Sequence, residues 1–379
     1  MASTPLQGRQ TTVAIEAKVG LLRRPATYPD APAHVDVVET HMSWVFLTDR
    51  YAYKMKKPVR YDFLDFSTLA LRRRDCEEEV RLNRRLAPDV YLGTVPLTRD
   101  ASGNLHLGGA GEVVDASRDG RGTSPGMGEV DCAGSERSRP RREQVVEWLV
   151  KMRRLPAERM LDNLIRQRGV QEADIYSLAM LLARFYQACS PVELSAEQYR
   201  AEFTNAVQLN LRELSVPDYA LPRRLIEQLH AAQVSFLSRE AGLFDARVAA
   251  GKIVEGHGDL RPEHICLTPE PVIIDCLEFN RRLRMVDPAD ELAFLAMECE
   301  RLGAPRVGDR LFQTYAQVTH DQPAAGLVNF YKMFRACLRA RFAIGHVREL
   351  EKQDWPKWQH SAGEYLHLAE GYRERLSGL

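Results

Sequence analysis

Residues 257–265 read HGDLRPEHI, and the short apolar run VIID follows them over residues 272–275. The first stretch is the densest group of reactive side chains in the chain, and its glycine and proline are typical of a tight loop. The apolar run has the length and composition of a strand. It delivers a second aspartate, Asp275, at its C-terminal end, eleven residues after His264.

These side chains suit phosphoryl transfer. That reaction needs a carboxylate to accept the proton of the attacking hydroxyl, and magnesium ions with oxygen ligands to neutralise the phosphates. Asp259 on the loop suits the proton acceptor, and Asp275 at the strand end suits a magnesium ligand. His264 is expected beside the metal ion. Structural carboxylates that only support the loop are the alternative interpretation.

Strand patterns dominate the sequence before this cluster. A hairpin is predicted over residues 44–56, where two apolar strands flank a polar turn, and Pro58 ends its second strand. The charged segment 68–86 has no glycine or proline and predicts a helix. Two more short apolar strands are predicted at 91–98 and 145–152. This part of the chain should therefore be a sheet with one helix.

Helical patterns dominate from residue 156 onward. Leu178, Leu181, Leu182 and Phe185 have the i, i+3, i+4, i+7 spacing of an amphipathic helix. Loops and short strands interrupt the helices only around the reactive cluster. The sequence therefore predicts a larger, mainly helical second part.

Residues 115–142 differ from the rest of the chain. They are rich in Gly, Ser, Arg and Pro and contain almost no large apolar side chains. Such a segment buries too little apolar surface to offset the entropy of ordering. We predict a disordered surface insertion within a hairpin rather than a domain boundary.

Composition argues against several classes of protein. Lys plus Arg and Asp plus Glu both number 52, so the formal net charge is zero, and neither nucleic acid nor a membrane is expected as a partner. The seven cysteines contain no C-x-x-C pair and are odd in number, which disfavours a disulfide framework. No apolar run is long enough to span a bilayer, and no signal-peptide pattern is present. A cytoplasmic protein is expected.

Taken together, the motifs resemble the aminoglycoside phosphotransferase-like kinases, in an uncharacterised bacterial branch. The resemblance rests on THMSWVFL (40–47), YKMKKPV (53–59) and HGDLRPEH (257–264) as a set. It implies an α+β fold of the bilobal protein-kinase type, with a small β-rich N-lobe that contains one helix and a larger, mainly helical C-lobe. The implied boundaries are an N-terminal extension over 1–34, the N-lobe over 35–152 and the C-lobe with the catalytic loop over 153–379.

The resemblance also implies roles for the reactive side chains. Asp259 looks like the catalytic base, and Asp275 looks like the principal magnesium ligand. Lys54 matches the strand lysine that binds the α- and β-phosphates, and Lys56 is the alternative because it lies on the same strand face. Glu79 matches the helix glutamate that positions this lysine, although Glu77 and Glu78 compete for the role.

Two further residues are expected near the nucleotide. The family covers the phosphates with a Gly-rich loop, which this chain lacks, so Ser43 and nearby backbone amides are expected to do that work. Met152 lies where the interlobe hinge should face the adenine ring.

This chain departs from the family motif at His264, where the family has a metal-binding asparagine. Imidazole is a weaker partner for magnesium than an amide oxygen, so action through water or contact with a phosphate are alternative roles for His264. Further along, residues 287–290 read DPAD, one residue shorter than a comparable family step, and Asp290 fits a helix N-cap with Glu291 beside the positive helix end.

The resemblance implies an ATP-dependent kinase that uses Mg²⁺ and transfers the γ-phosphate to a hydroxyl of a small-molecule substrate. A pseudokinase that binds nucleotide without turnover is the first alternative. A metallohydrolase with His257, Asp259, His264 and Asp275 as ligands is the second. Members of this branch are often joined to a P-loop domain. No G-x-x-x-x-G-K-[ST] motif occurs here, so any P-loop partner would have to be a separate chain.

Overall fold

The computed structural model describes residues 13–61, 64–108 and 144–377, which form two compact units, Met1–Leu155 and Pro156–Leu379. The first unit is rich in strands and the second is mainly helical, which confirms the predicted α+β class. The insertion predicted over 115–142 lies outside the described residues.

The first unit contains eight described strands and two described α-helices. Six of the strands form one antiparallel sheet in the order β1-β2-β3-β8-β6-β7, and β4 pairs with β5. The elements are α1 (Ile15–Leu22), β1 (Asp36–Glu39), β2 (Ser43–Leu47), β3 (Tyr51–Lys56), β4 (Arg60–Tyr61), β5 (Leu64–Asp65), α2 (Leu69–Asn83), β6 (Tyr91–Arg99), β7 (Leu105–Leu107) and β8 (Gln144–Arg153).

The hairpin of β2 and β3 sets the register that positions the lysines. Its strands pair from Ser43 opposite Lys56 to Leu47 opposite Ala52, so the hairpin predicted over 44–56 is confirmed. Thr48 closes the turn, because its side-chain oxygen accepts the N–H of Tyr51 at 3.0 Å. Successive side chains in a strand alternate between the two faces of the sheet. Tyr53 therefore lies in the apolar core of this unit, and Lys54 and Lys56 lie on the opposite face.

A buried ion cluster joins α1 and α2 to the sheet. Glu147 on β8 has no exposed surface, and its carboxylate contacts Lys18 of α1 at 2.7 Å and Arg72 of α2 at 2.8 and 2.9 Å. The paired N–H groups of Arg72 meet both carboxylate oxygens, which is the strongest geometry for such a pair. The cluster fixes α2, and with it Glu79, against the sheet.

The second unit is built around a central helix. Its elements are α3 (Leu161–Arg166), α4 (Glu172–Ala188), α5 (Ala196–Leu214), α6 (Arg223–Arg239), α7 (Ala241–Ala249), β9 (Val254–Glu255), β10 (Ile265–Cys266), β11 (Val272–Ile273), β12 (Met285–Val286), α8 (Pro288–Arg301), α9 (Pro305–Thr319), α10 (Ala325–Gly345) and α11 (Trp355–Ser377). Every residue of α8 from Pro288 to Cys299 is buried. Two short antiparallel strand pairs, β9 with β12 and β10 with β11, frame the loop that carries the HGDL motif.

The N-cap of α8 is Asp287, so the expectation that Asp290 caps this helix is wrong. The Asp287 side chain accepts the N–H of Ala289 at 2.8 Å. Pro288 occupies the first helical position, which its fixed φ favours, and the cap must therefore precede it. Asp290 lies in the first turn and forms a bidentate pair with Arg335 at 2.8 and 2.6 Å.

Among the described residues, no helix combines the length and the apolar character that crossing a bilayer requires.

Gly308 marks the closest approach of α9 to α8. A Cβ atom at this position would lie 2.5 Å from the Cβ of Ala296. We expect Gly308→Ala to lower the free energy of unfolding by about 1–3 kcal/mol through overpacking. Gly363→Ala is the matched control, because a Cβ there meets nothing within 4 Å, and alanine should add about 0.5–1 kcal/mol in a helix. Thermal melting measures both, and equal melting temperatures would contradict the packing described here.

Candidate active site

In the first unit, the structure brings both candidate lysines to the same glutamate. The Nζ of Lys54 lies 2.9 Å from Oε1 of Glu79, and the Nζ of Lys56 lies 2.7 Å from Oε2. Lys56 also contacts Asp75 at 2.6 Å. Glu79 is fully buried, so two cations offset the cost of burying its charge.

Burial separates the roles of the two lysines. The Lys56 side chain is 1% exposed, and it lies between two carboxylates with the Phe66 ring 5.0 Å away. The Lys54 side chain is 16% exposed. A ligand can therefore reach Lys54, whereas Lys56 is enclosed and supports the position of Glu79.

The competing glutamates of α2 form surface pairs. Glu77 pairs with Arg73 and Glu78 pairs with Arg81, one helical turn along α2 in each case. These are the ordinary i,i+3 and i,i+4 pairs of an exposed helix face. Of the three consecutive glutamates, Glu79 is the one in contact with the strand lysines.

Ser43 and Met152 are both buried. The Ser43 hydroxyl lies 3.1 Å from that of Thr40, within a turn in which Thr40 also donates its N–H to the Ser43 carbonyl. Ser43 therefore stabilises the turn, and its hydroxyl is not exposed to a ligand. Met152 lies one residue before the end of β8, opposite Ala52 of β3 and Tyr91 of β6.

In the second unit, two histidines hold the HGDL loop. The Nε2–H of the buried His257 donates to the Ile274 carbonyl at 2.9 Å, and its Nδ1 accepts the N–H of Asp259 at 3.3 Å. Burial lowers the pKa of His257, which favours the neutral ring that this pattern requires. The Nδ1 of His264 donates to the Asp259 carbonyl at 2.9 Å. Both nitrogens of His257 are engaged, so this ring is not available to ligate a metal.

The same loop is anchored to α8 by Glu291. Its carboxylate accepts the backbone N–H of His257 at 3.0 Å, the backbone N–H of Gly258 and the hydroxyl of Tyr186 at 2.9 Å. Glycine is required at position 256, since a Cβ there would lie 2.5 Å from the Glu291 carboxylate. From the sequence, Glu291 was predicted only to lie beside the positive end of the helix. The glycines on either side of His257 were the available signal that another group approaches this backbone.

The carboxylate of Asp259 is held in its charged form. Burial raises its pKa, but the positive charge of Arg261, with Nε 3.5 Å away, opposes this together with that of Arg339. The net result is a pKa below the ordinary value of an aspartate. Asp259 is therefore ionised at neutral pH and able to accept a proton. Arg261 was not singled out from the sequence, although it lies two residues after Asp259.

Asp275 lies next to His264 in an unusual backbone conformation. Its φ is +60°, in the left-handed region that costs non-glycine residues energy and is enriched at functional sites. Its side chain is 45% exposed, and its Oδ2 lies 3.5 Å from Nε2 of His264. The structure thus brings Asp259, His264 and Asp275 together, as the sequence predicted.

The side chains of His264 and Asp275 fit one divalent cation. Asp275 offers an accessible carboxylate and His264 offers a ring nitrogen directed at it. Among residues 13–61, 64–108 and 144–377, no group of three or more His, Cys, Asp or Glu side chains is arranged to hold a metal. Magnesium is commonly bound by one or two carboxylates together with substrate phosphates, so the small number of protein ligands suits a nucleotide-bound ion.

Curated relatives resemble this chain in sequence over most of its length. An uncharacterised protein of Mycobacterium tuberculosis is 31% identical over 310 residues, which make up 81% of this chain and 54% of that protein. An uncharacterised protein of Mycobacterium bovis matches to the same extent. The chain therefore spans about half the length of the curated relatives it matches. No family model matches it.

Solved structures establish the fold. A choline/ethanolamine kinase family protein from Mesorhizobium loti has a TM-score of 0.50 and 15% identity, and the match covers 95% of this chain and 97% of that one. An aminoglycoside phosphotransferase from Streptomyces rimosus, in complex with ADP and streptomycin, has a TM-score of 0.44 and 16% identity, covering 86% and 99%. The second match is too weak to support an argument. The first shows that this chain shares the fold of that Mesorhizobium loti protein.

The anchoring by Glu291 is tested by Glu291→Gln. The glutamine amide keeps one acceptor oxygen but turns its NH₂ group toward a backbone N–H. We therefore expect the free energy of unfolding to fall by about 1–3 kcal/mol. Hydrogen exchange at the amides of His257 and Gly258 should become faster. Tyr186→Phe is the control, because it removes one hydroxyl and leaves both backbone contacts. Unchanged exchange at the two amides in Glu291→Gln would contradict the anchoring role.

Proposed function

We propose that this chain is a phosphotransferase that moves the γ-phosphate of ATP to a hydroxyl of a small metabolite. The observation that carries the proposal is the cluster of Asp259, His264 and Asp275 in the second unit, with Asp259 ionised and Asp275 accessible. The kinase-like fold supports the same class of reaction. The Lys54–Glu79 pair of the first unit supplies the cation that such enzymes use on phosphates.

Asp259 is the proposed proton acceptor for the attacking hydroxyl. A base must be ionised at the working pH, and the cations around this carboxylate keep it so. His264 donates a hydrogen bond to the Asp259 carbonyl, and Glu291 accepts the N–H of the nearby His257. These bonds fix the backbone that carries the Asp259 carboxylate. Arg261 lies beside the same carboxylate and is placed to offset negative charge on a transferring phosphoryl group.

Asp275 and His264 are the proposed holders of the divalent cation, predicted from the sequence to be magnesium. When bound, the ion supplies positive charge that neutralises the phosphates and favours loss of the diphosphate leaving group. Lys54 is proposed to bind the α- and β-phosphates, and Glu79 orients it. The accessible carboxylates favour catalysis over a purely binding role. The engagement of both His257 nitrogens argues against the metallohydrolase alternative.

The proposed acceptor is a small hydroxylated metabolite. A separate P-loop chain stays a prediction, which co-purification of the native complex would test.

The first test compares Asp259→Asn with Asp275→Asn. We expect Asp259→Asn to slow ADP release by about 10²–10⁴-fold, with nucleotide affinity retained, because a general base contributes this much. Asp275→Asn should lose metal-dependent nucleotide binding as well. The measurement is ADP release from ATP across a metabolite panel, with calorimetric nucleotide binding. Asp309→Asn, at an exposed site on α9, is the control. Wild-type protein that neither binds nor turns over nucleotide would rule out the proposal.

The second test separates the two lysines. Lys56→Met leaves Asp75 and the buried Glu79 with less positive charge, so we expect a loss of about 3–5 kcal/mol in unfolding free energy. Lys54→Met leaves Glu79 paired with Lys56, so its stability should change little while nucleotide affinity falls. Denaturant unfolding and calorimetric nucleotide binding measure the two effects. The reverse result, with nucleotide binding lost only in a well-folded Lys56→Met protein, would assign the phosphate lysine to position 56.

A further inference from the structure

Glu298 of α8 holds two arginine side chains by the same kind of atom. Its buried carboxylate accepts the Nε–H of Arg301 at 2.8 Å and lies 3.3 Å from the Nε of Arg339. The hydroxyl of Tyr365 donates to the same carboxylate at 2.8 Å. Both guanidiniums also lie against the Tyr365 ring, 5.2 and 5.6 Å from its centre, which is the spacing of a cation–π contact. Glu298 and Tyr365 together therefore fix both arginines.

The terminal nitrogens of both arginines are left for another partner. In the described part of the chain, the hydrogen bonds that Arg301 and Arg339 donate all start from Nε. Their side chains are 27% and 23% exposed, so a ligand can reach the terminal NH₂ groups. A guanidinium presents its donors as a planar fork that matches the paired oxygens of a carboxylate or a phosphate. The arrangement of these two forks suits an oxyanion.

The acidic side chains around the two arginines are already used. Glu298 is buried beneath its own donors, and Glu263 pairs with Arg261 at 2.7 Å. Asp259 is the proposed proton acceptor. Among the described residues, this region thus offers an acceptor molecule the free N–H groups of two arginines but no spare carboxylate. An anionic group on the acceptor fits such a region, whereas an ammonium group would meet like charge.

Arg339 connects these donors with the proposed proton acceptor. Burial raises the pKa of Asp259, whereas the charges of Arg261 and Arg339 lower it below its usual value. A charged group shifts a pKa in this way when it is close to the titrating group, so the guanidinium of Arg339 lies near the Asp259 carboxylate. Arg301 is bound to the same glutamate as Arg339. One small molecule can therefore contact the arginines with one end and Asp259 with the other.

We propose that Arg301 and Arg339 bind an oxyanion of the acceptor, so that the acceptor is a hydroxy acid or a phosphorylated alcohol rather than an amino alcohol. The inference rests on the proposed function and names the substrate class of the same site. In the transfer, the acceptor hydroxyl oxygen bonds to the γ-phosphorus, and the hydroxyl proton passes to Asp259. The bond from the γ-phosphorus to the bridging oxygen breaks, and ADP leaves with the electron pair. The arginines hold the anionic end throughout.

The experiment compares four probes that share a three-carbon skeleton with a hydroxyl group. Glycerate carries a carboxylate, glycerol 3-phosphate carries a phosphate, glycerol is neutral, and 2-amino-1,3-propanediol carries an ammonium group. Calorimetry measures their binding to the full chain without nucleotide. We expect at least one anion to bind about tenfold or more tighter than the neutral and cationic probes, which is about 1.4 kcal/mol. The tighter anion identifies the acceptor's charged group as a carboxylate or a phosphate.

Two variants of Arg301 assign the binding to this site. Arg301→Gln removes the fork and its charge, so anion affinity should fall about tenfold. Arg301→Lys keeps a cation beside Glu298 and removes only the fork, so it should keep the wild-type melting temperature and show an intermediate affinity. Arg310→Gln is the matched control, because this exposed arginine of α9 pairs with Glu172 and should leave anion binding unchanged.

Three results would overturn the inference. Wild-type protein that binds neither anion is the first, and glycerol or the amine binding as tightly as the anions is the second. The third is an anion affinity that is the same in the wild type and in both Arg301 variants.

Failure of this inference differs from failure of the proposed function. Anion binding that depends on Arg301, with no ATP turnover, would keep the oxyanion site and remove the phosphotransferase. ATP-dependent phosphorylation of neutral or amine acceptors, with the same acceptor KM in Arg301→Gln as in the wild type, would keep the phosphotransferase and overturn the inference. An anionic acceptor whose KM rises in Arg301→Gln, while kcat changes little, would support both, because that pattern marks loss of ground-state binding.

Discussion

The carboxylate of Glu291 is the constraint on which the candidate site depends. It accepts two consecutive backbone N–H groups of the HGDL loop and a tyrosine hydroxyl, all within the buried interior of the second unit. A buried carboxylate is costly unless its oxygens are satisfied, and buried N–H groups are costly unless they are paired. The buried Glu291 carboxylate therefore requires these N–H groups as donors, and the buried N–H groups require the carboxylate as an acceptor. The position of Asp259 follows, because it is the next residue after the two that Glu291 holds.

The first unit uses a buried carboxylate in a different way. Glu79 contacts two lysine side chains rather than backbone, and its neighbour Asp75 shares one of them. The result is a pair of cations of unequal exposure on one strand face. Lys56 is enclosed and stabilises Glu79, whereas Lys54 has side-chain surface that a ligand can reach.

Much of this arrangement could be predicted from the sequence, because it depends on local pattern. The strand period of two placed Lys54 and Lys56 on one face, and the motif spacing brought Asp259, His264 and Asp275 together. Because both lysines fit the same period, the sequence pattern could not distinguish Lys54 from Lys56. Only burial separates them, and burial depends on Asp75 and Phe66 from outside the strand.

Other features were beyond sequence reasoning for a physical reason. Two of the partners of Glu291 are backbone groups, which every residue has, so their pairing across 34 and 33 positions leaves no side-chain pattern. Ser43 was predicted to cover phosphates from its place in a turn, and its hydroxyl contact with Thr40 became visible only in the structure. The capping residue of α8 was misplaced because two aspartates flank one proline, and the preference of proline for the first helical turn decides between them.

The complete burial of α8 from Pro288 to Cys299 has a consequence for motion. A helix enclosed on all sides loses its hydrogen bonds only when the surrounding unit opens, which places it at the slow-exchanging end of local stability. The HGDL loop is bonded to the first turn of this helix, so its backbone shares that rigidity. Any opening and closing that admits or releases a ligand must therefore occur in segments not bonded to α8, while the backbone of Asp259 stays in place.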